Sequence, residues 1–457
     1  MAPEPVKTRP AYPASWLSRR LSDLPTPPEV VAARELRERA SKQALAIEYH
    51  LLMLLTLGLV AFGLVMVYSS SSGVAVVAGG NSSAALIRQG IYAVLGLGAM
   101  AVAARVPYQR WRPLIPLVML VSMLLLIAVL IPGIGVRVGS SARWIDIGPL
   151  TIQPSEFAKL AVALFACQIL AARRRPPTTI RQLLNPVGVV ALVACTLVLA
   201  EPDLGTTISI AIMVGGVLVI AGTPFRLLLA TVTVMSAGAA VGISQNAYMK
   251  ERLLTFLDPW HVAGTAGYQN VQALIALGSG GVWGKGLGQG TQKIFYLPEA
   301  NSDMIAAVIG EELGLIGILA TAIAFAAFAV LGYRIAMRCD EPFGKYLAAG
   351  ITTMVTGQAI VNLGAVLGFL PLTGVPLPLI SSGGSSLVVF MTMAGMLLSI
   401  AEGGGARPVR ATAADAKPDA KSEPKARKAS TPASGRARPD RRRRNRRPRR
   451  AGAGGGS

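Results

Sequence analysis

An aspartate, Asp303, stands in the stretch LPEANSDMIAAVIGEELGLIG, residues 297–317, where a polar run gives way to an apolar one. Asn301 or Ser302 is placed to cap a helix there, which sets Asp303 in the first turn at the positive end of the helix dipole. A carboxylate kept ionised in that way suits a base that takes a proton from a hydroxyl. A second group lies in SARWIDIGPLTIQPSEFAKLA, residues 141–161, where Glu156 and Lys159 are three residues apart and share one helical face. A structural ion pair accounts for those two alone; with Arg143 upstream, the set reads as a site that handles an anion. A third candidate is GSGGVWGKGLGQG, residues 278–290. Lys285 is followed there by Gly286 in place of Ser or Thr, which excludes a nucleotide phosphate loop. Lys285, Lys293 and the backbone amides of this run could still meet a phosphate, with a plain surface loop as the alternative. Glu201 and Asp203 flank Pro202 and read as capping and helix-breaking residues. Gly310, Gly314 and Gly317 read as sites of close helix packing.

These groups need a scaffold, and the composition says which kind. Of 457 residues, 52% are hydrophobic and only 15% charged, and the mean hydropathy is +0.53. Soluble domains carry about 25% charge, so an ordinary soluble enzyme is excluded and a polytopic membrane protein is indicated. Spanning a bilayer takes about 20 mostly apolar residues per helix. Ten segments meet that test, near 49–68, 84–104, 113–132, 154–172, 186–200, 204–221, 225–244, 303–331, 345–367 and 385–401; the fifth is short and reads as tilted or broken. The expected fold is therefore all-α: ten transmembrane helices with a large extracytoplasmic loop, residues 245–302, between the seventh and eighth. The aromatic residues of that loop, Trp260, Tyr268, Trp283, Phe295 and Tyr296, predict a folded lid.

Loop charge orients the bundle, because Lys and Arg in short loops stay on the inner side. With the N-terminus inside, eleven such residues fall on inward loops, and only Arg137 and Arg143 on short outward ones. Residues 1–48 and 403–457 then become inner tails. The net charge of +21 is concentrated in the second tail, which holds 17 Lys and Arg against four Asp and Glu and carries RRRRNRRPRR at residues 441–450. Such a segment is expected to be disordered and to adhere to anionic inner-leaflet lipid or to an acidic partner, and no nucleic-acid partner is expected. Cys167, Cys195 and Cys339 read as small core residues and not as a disulfide framework.

Three ordered blocks carry a resemblance: RWIDIGPLTIQPSEFAKL, the Gly-rich run leading into LPEANSDMIAAVIGEELGLIG, and GFLPLTGVPLPLISSGGSSL at residues 368–387. Together they resemble the shape, elongation, division and sporulation (SEDS) membrane glycosyltransferases over residues 51–399, the division branch more than the rod-elongation branch. The resemblance implies polymerisation of lipid II into peptidoglycan glycan strands at the outer face of the bacterial cytoplasmic membrane, at the division septum. It places Asp303 at the catalytic aspartate position and Arg143, Glu156 and Lys159 at polar positions near the fourth helix. Arg143 and Lys159, with Lys285, Lys293 or a divalent cation such as Mg or Mn, would then steady the leaving diphosphate of a lipid-linked glycan. Its implied partner is a class B penicillin-binding transpeptidase, with other division proteins reached through the tails. Two rival readings are a lipid II flippase or transporter and a non-catalytic division scaffold.

Overall fold

The computed structural model describes residues 28–403, apart from 78, 80, 139, 140, 149, 174 and 246. Most of the N-terminal tail and nearly all of the basic C-terminal tail lie outside the described residues, and with them the expectations of disorder and of lipid or partner binding. Among the described residues, nine helices are long and apolar enough to cross a membrane, and a tenth apolar helix has 17 residues. In chain order the elements are α1 (Pro28–Val77), α2 (Ala84–Arg105), α3 (Ile115–Leu130), strands β1 (Val136–Val138), β2 (Ser141–Ile147) and β3 (Leu150–Ile152), then α4 (Pro154–Ala172). There follow α5 (Ile180–Ala200), α6 (Leu204–Ile220), α7 (Phe225–Gln245), α8 (Ala247–Leu257), α9 (Tyr268–Gly280), α10 (Ile305–Arg338), α11 (Pro342–Val366) and α12 (Gly384–Gly403). The fifth span is indeed broken: Asn185 leaves helical geometry just before Pro186, whose ring and missing N–H interrupt the ladder.

The core lies between α4, α10, α11 and α12, and α11 and α12 have most of their spans buried. Small residues permit this. Gly and Ala on α11 and α12 bring backbones close, which suits packing where lipid gives no hydrophobic drive. The outer helices α2, α3 and α7 show large apolar side chains on their surfaces, as a bilayer requires.

One connection departs from expectation. Residues 136–152, expected as a loop, form an antiparallel meander in the order β1-β2-β3, with Val136 opposite Trp144 and Ile145 opposite Ile152. Valine, isoleucine and tryptophan favour such pairing, but the segment is too short to stand out beside the spans. The lid of residues 245–302 is folded, as expected, around α8 and α9.

Gly314 allows the close packing read from the sequence and also breaks a helix. It has φ +68° and ψ −162° and breaks α10 after its first turns. The freed backbone groups are taken up by the Gly-rich run: Lys285 N donates to Glu311 O at 3.0 Å and Gly286 N to Glu312 O at 2.9 Å. In return, Leu315 N donates to Gly281 O at 3.0 Å and Ile316 N to Val282 O at 3.3 Å. The amides proposed for a phosphate are thus spent on a helix break. A side chain at 314 would also strike the backbone of Val282 and Gly284. Gly314→Ala is expected to destabilise the protein by at least about 1–3 kcal/mol, read as a lower apparent melting temperature in detergent.

Candidate active site

Asp303 is buried in the turn that leads into α10, and its place differs from the sequence expectation. The N-cap is Met304, without a side-chain cap bond, so Asp303 lies just ahead of the helix. Neither Asn301 nor Ser302 caps it. The turn closes by Ser302 N and Met304 N donating to Glu299 O at 3.0 and 3.2 Å. Glu299 itself has φ +52°, a sparsely populated backbone state for a non-glycine residue.

The Asp303 side chain lines a cavity of about 730 Å³. Arg88 and Tyr92 enter it from α2, Arg143, Trp144 and Asp146 from β2, and Arg252 from α8. Glu299 and Ser302 join from the turn, and Ser382, Gly383 and Gly384 from the start of α12 and the residues before it. Gly374, at φ +72°, completes the wall; a β-carbon there would lie 3.3 Å from Arg252 Nη1 and 3.8 Å from Asp303 Oδ2. The cavity therefore combines three guanidinium groups with a buried carboxyl whose Oδ1 has no hydrogen-bond partner. Small local bonds hold this wall together. Tyr92 OH donates to Thr151 O at 3.2 Å and accepts from Thr151 N at 3.0 Å, while Arg88 donates to Thr151 Oγ1 at 3.0 Å. These bonds stitch β3 to α2.

Arg143, in β2, also reaches the turn between α5 and α6. Its Nε donates to Glu201 O at 3.0 Å and a second N–H to Pro202 O. It thus clamps the turn in which Asp203 caps α6 by accepting from Thr206 N at 3.0 Å, as expected. Glu201, buried beside Asp203, has its carboxyl pushed up to about 9, with Arg143 acting in the opposite direction.

The other three predicted cations do not line the cavity. Lys159 is fully buried, 2.8 Å from Glu156 Oε1, 2.8 Å from Gln358 Oε1 and over the Phe390 ring at 5.0 Å. Lys285 pairs with Glu311 at 2.8 Å, and Lys293 pairs with Glu312 at 2.5 Å while donating to Ser69 at 3.2 Å. Glu311 and Glu312 sit at the break in α10, and a carboxylate at that depth requires a nearby countercharge. The lysines supply it. Arg252 was the residue missed; its signal was a lone arginine inside an outward loop, against the charge bias, on the face of α8 that also bears buried Thr255. Among the described residues, no three His, Cys, Asp or Glu side chains gather to hold a metal ion.

The FtsW/RodA/SpoVE family of cell cycle proteins matches residues 49–404. The chain belongs to that family. As an FtsW/RodA/SpoVE protein it is 39% identical over 353 residues to a probable peptidoglycan glycosyltransferase FtsW of Geobacter metallireducens, a match covering 76% of this chain and 93% of the relative. Stage V sporulation protein E of Bacillus subtilis is 36% identical over 353 residues, covering 77% and 96%. A chain from a peptidoglycan synthase complex that coordinates polymerization and crosslinking superposes with a TM-score of 0.64 at 26% identity, covering 77% and 97%. The rod shape determining protein RodA of Thermus thermophilus gives 0.55 at 26% identity, covering 77% and 96%. The resemblance of the three motif blocks is thus shown at the level of the family, and with it a multi-pass membrane protein.

Burial pushes the Asp303 carboxyl up from 3.8 to about 7, against Arg252 and Arg143, which pull it down, and with Glu299, which pushes it up. Between those values the folded protein keeps a proton that the unfolded chain has released. The resulting stabilisation is complete below about pH 4 and is lost as pH rises through about 7. Asp303→Asn, which cannot ionise, should match wild type in apparent melting temperature at acid pH and exceed it at pH 8. A scan of melting temperature against pH for the two proteins checks this.

Proposed function

We propose that this protein polymerises lipid II into peptidoglycan glycan strands at the outer face of the membrane, by inverting glycosyl transfer with Asp303 as general base. The observation that carries the reading is the cavity itself: one buried carboxyl, with an oxygen that has no hydrogen-bond partner, in a wall shared with arginines from three separate elements. A sugar 4-hydroxyl is a poor nucleophile. Asp303 takes its proton as the oxygen attacks the anomeric carbon of the lipid-linked donor, the bond from that carbon to the diphosphate breaks, and an α linkage becomes β. A base whose pKa lies near the working pH is well matched to that transfer. Negative charge grows on the leaving diphosphate, and Arg252 and Arg143, already fixed in the wall, meet it without reorganising.

Lys159, Lys285 and Lys293 act in this scheme as countercharges within the scaffold. Among the described residues, no cluster of three or more His, Cys, Asp or Glu side chains stands ready for a divalent cation such as Mg or Mn. An apolar groove of about 740 Å³ between α1 and α10, lined by Leu54, Phe62, Leu313 and Ala324, offers a lipid tail a place beside the bundle. The division-named relatives support a role at the septum, and the solved synthase complex supports work alongside a class B penicillin-binding transpeptidase. Both tails face the cytoplasm in this proposal. The flippase and scaffold readings assign no task to a buried base among arginines.

In proteoliposomes with fluorescent lipid II and the cognate transpeptidase, Asp303→Asn and Asp303→Ala are expected to lower polymer formation by at least about 100-fold. Full polymer from Asp303→Asn would remove the base. Arg252→Ala should lower kcat by roughly 100- to 1000-fold, as when one preorganised donor to a transition-state charge is lost. Arg252→Lys should restore part of it, read in the same assay.

A further inference from the structure

Between α11 and α12 the chain has no regular structure, and its residues 371–383 are buried or half-buried, so their backbone groups must find partners inside the protein. Two side chains of α11, one turn apart, supply several of them. Gln358 Nε2 donates to Pro376 O at 2.9 Å, and Asn362 Nδ2 donates to Val375 O at 2.8 Å. The same Asn362 amide donates to the Asp303 carbonyl at 2.8 Å, and Ser382 N donates to Asn301 O at 2.8 Å. The turn that carries Asp303 is therefore hung on this segment at two points. Gly374, within the segment, rests against Arg252 and the Asp303 carboxyl. A shift of the segment moves both groups of the cavity wall.

The buried ion pair fixes the other end. A glutamine amide can be turned either way round, exchanging its donor and acceptor ends. Lys159 has only N–H bonds to give, and it gives one to Gln358 Oε1 at 2.8 Å. The oxygen is thereby held toward Lys159 and the NH₂ toward Pro376. Glu156 at 2.8 Å and the Phe390 ring at 5.0 Å hold the ammonium in turn. Asn362 is oriented by its two carbonyl partners, and its Oδ1 is buried with no partner of its own. A leucine of similar size would avoid that unmet acceptor; the amide is retained for the two bonds it donates.

We infer that Gln358 and Asn362 are positioning residues, through which the Glu156–Lys159 pair holds the Asp303 turn against the cavity. They touch no substrate. The inference rests on the glycosyl-transfer reading for its kinetic consequence and on geometry alone for its structural one, so two measurements keep the two apart.

The first is amide hydrogen exchange of the full chain in lipid nanodiscs. Asn362→Asp, which keeps the shape and loses both donated bonds, and Gln358→Glu, which keeps the acceptor for Lys159 and loses the bond to Pro376, should both speed exchange in residues 299–304. Rates in α3 and α7 should stay as in wild type. Unchanged exchange at 299–304 in both variants overturns the inference, whatever the enzyme does. The second is lipid II polymerisation with the transpeptidase present. A displaced base lowers kcat by roughly 10- to 100-fold with KM little changed. Lys159→Met combined with Gln358→Leu should then cost no more than the worse single variant, because both cut one chain of contacts. Losses that multiply, or that fall on KM alone, overturn the relay. Absence of polymer from wild type would defeat the glycosyl-transfer reading and leave the exchange result as the test of the relay.

Discussion

A backbone that leaves helical geometry inside a membrane protein has to find a partner for every N–H and C=O it releases, and much of this structure answers that demand. The break at Gly314 is closed by the Gly-rich run, the irregular segment before α12 by amide side chains of α11, and the turn after α5 by Arg143. All three solutions border or lead to the cavity wall. Irregular backbone is what lets Asp303, Arg252 and Gly374 approach one another, since straight helices would keep them on separate cylinders.

The charges follow the same logic. Carboxylates near the break in α10 need cations, and Lys285 and Lys293 reach them from the lid, fastening the lid to the bundle in doing so. What is left to face the cavity is a set of arginines. A guanidinium is planar and offers several donors in a fixed fork, which suits the paired oxygens of a phosphate better than the single ammonium of a lysine. The acid in their midst is tuned by two opposed influences, exclusion of water and attraction to those arginines.

The spans were legible because apolar length is a local property of the chain, and even the weakness of the fifth could be read from Pro186. Asp303 and Arg143 could also be read, since each sits at a boundary where polarity changes abruptly. Glu156 and Lys159 were read correctly as neighbours on one face, but nothing local shows that Gln358 and Phe390, some two hundred residues on, close over them. Lys285 and Lys293 misled for a similar reason. A lysine among glycines has the same appearance whether it awaits a phosphate or a glutamate from a distant helix. The short meander at β1 to β3 was hidden by its size, and the helix start at Ile305 by a turn that mimics a capping sequence.

One pairing reaches across the whole thickness of the molecule. Near one end α1 meets α10 through Glu48 and Arg338, and about six turns along through Ser69, which donates to Glu312. Sliding of α1 along α10 is therefore resisted at two well-separated points of the pair. The second tie grips the short stretch of α10 that precedes the Gly314 break, so an unbroken helix splints a broken one close to the Asp303 turn.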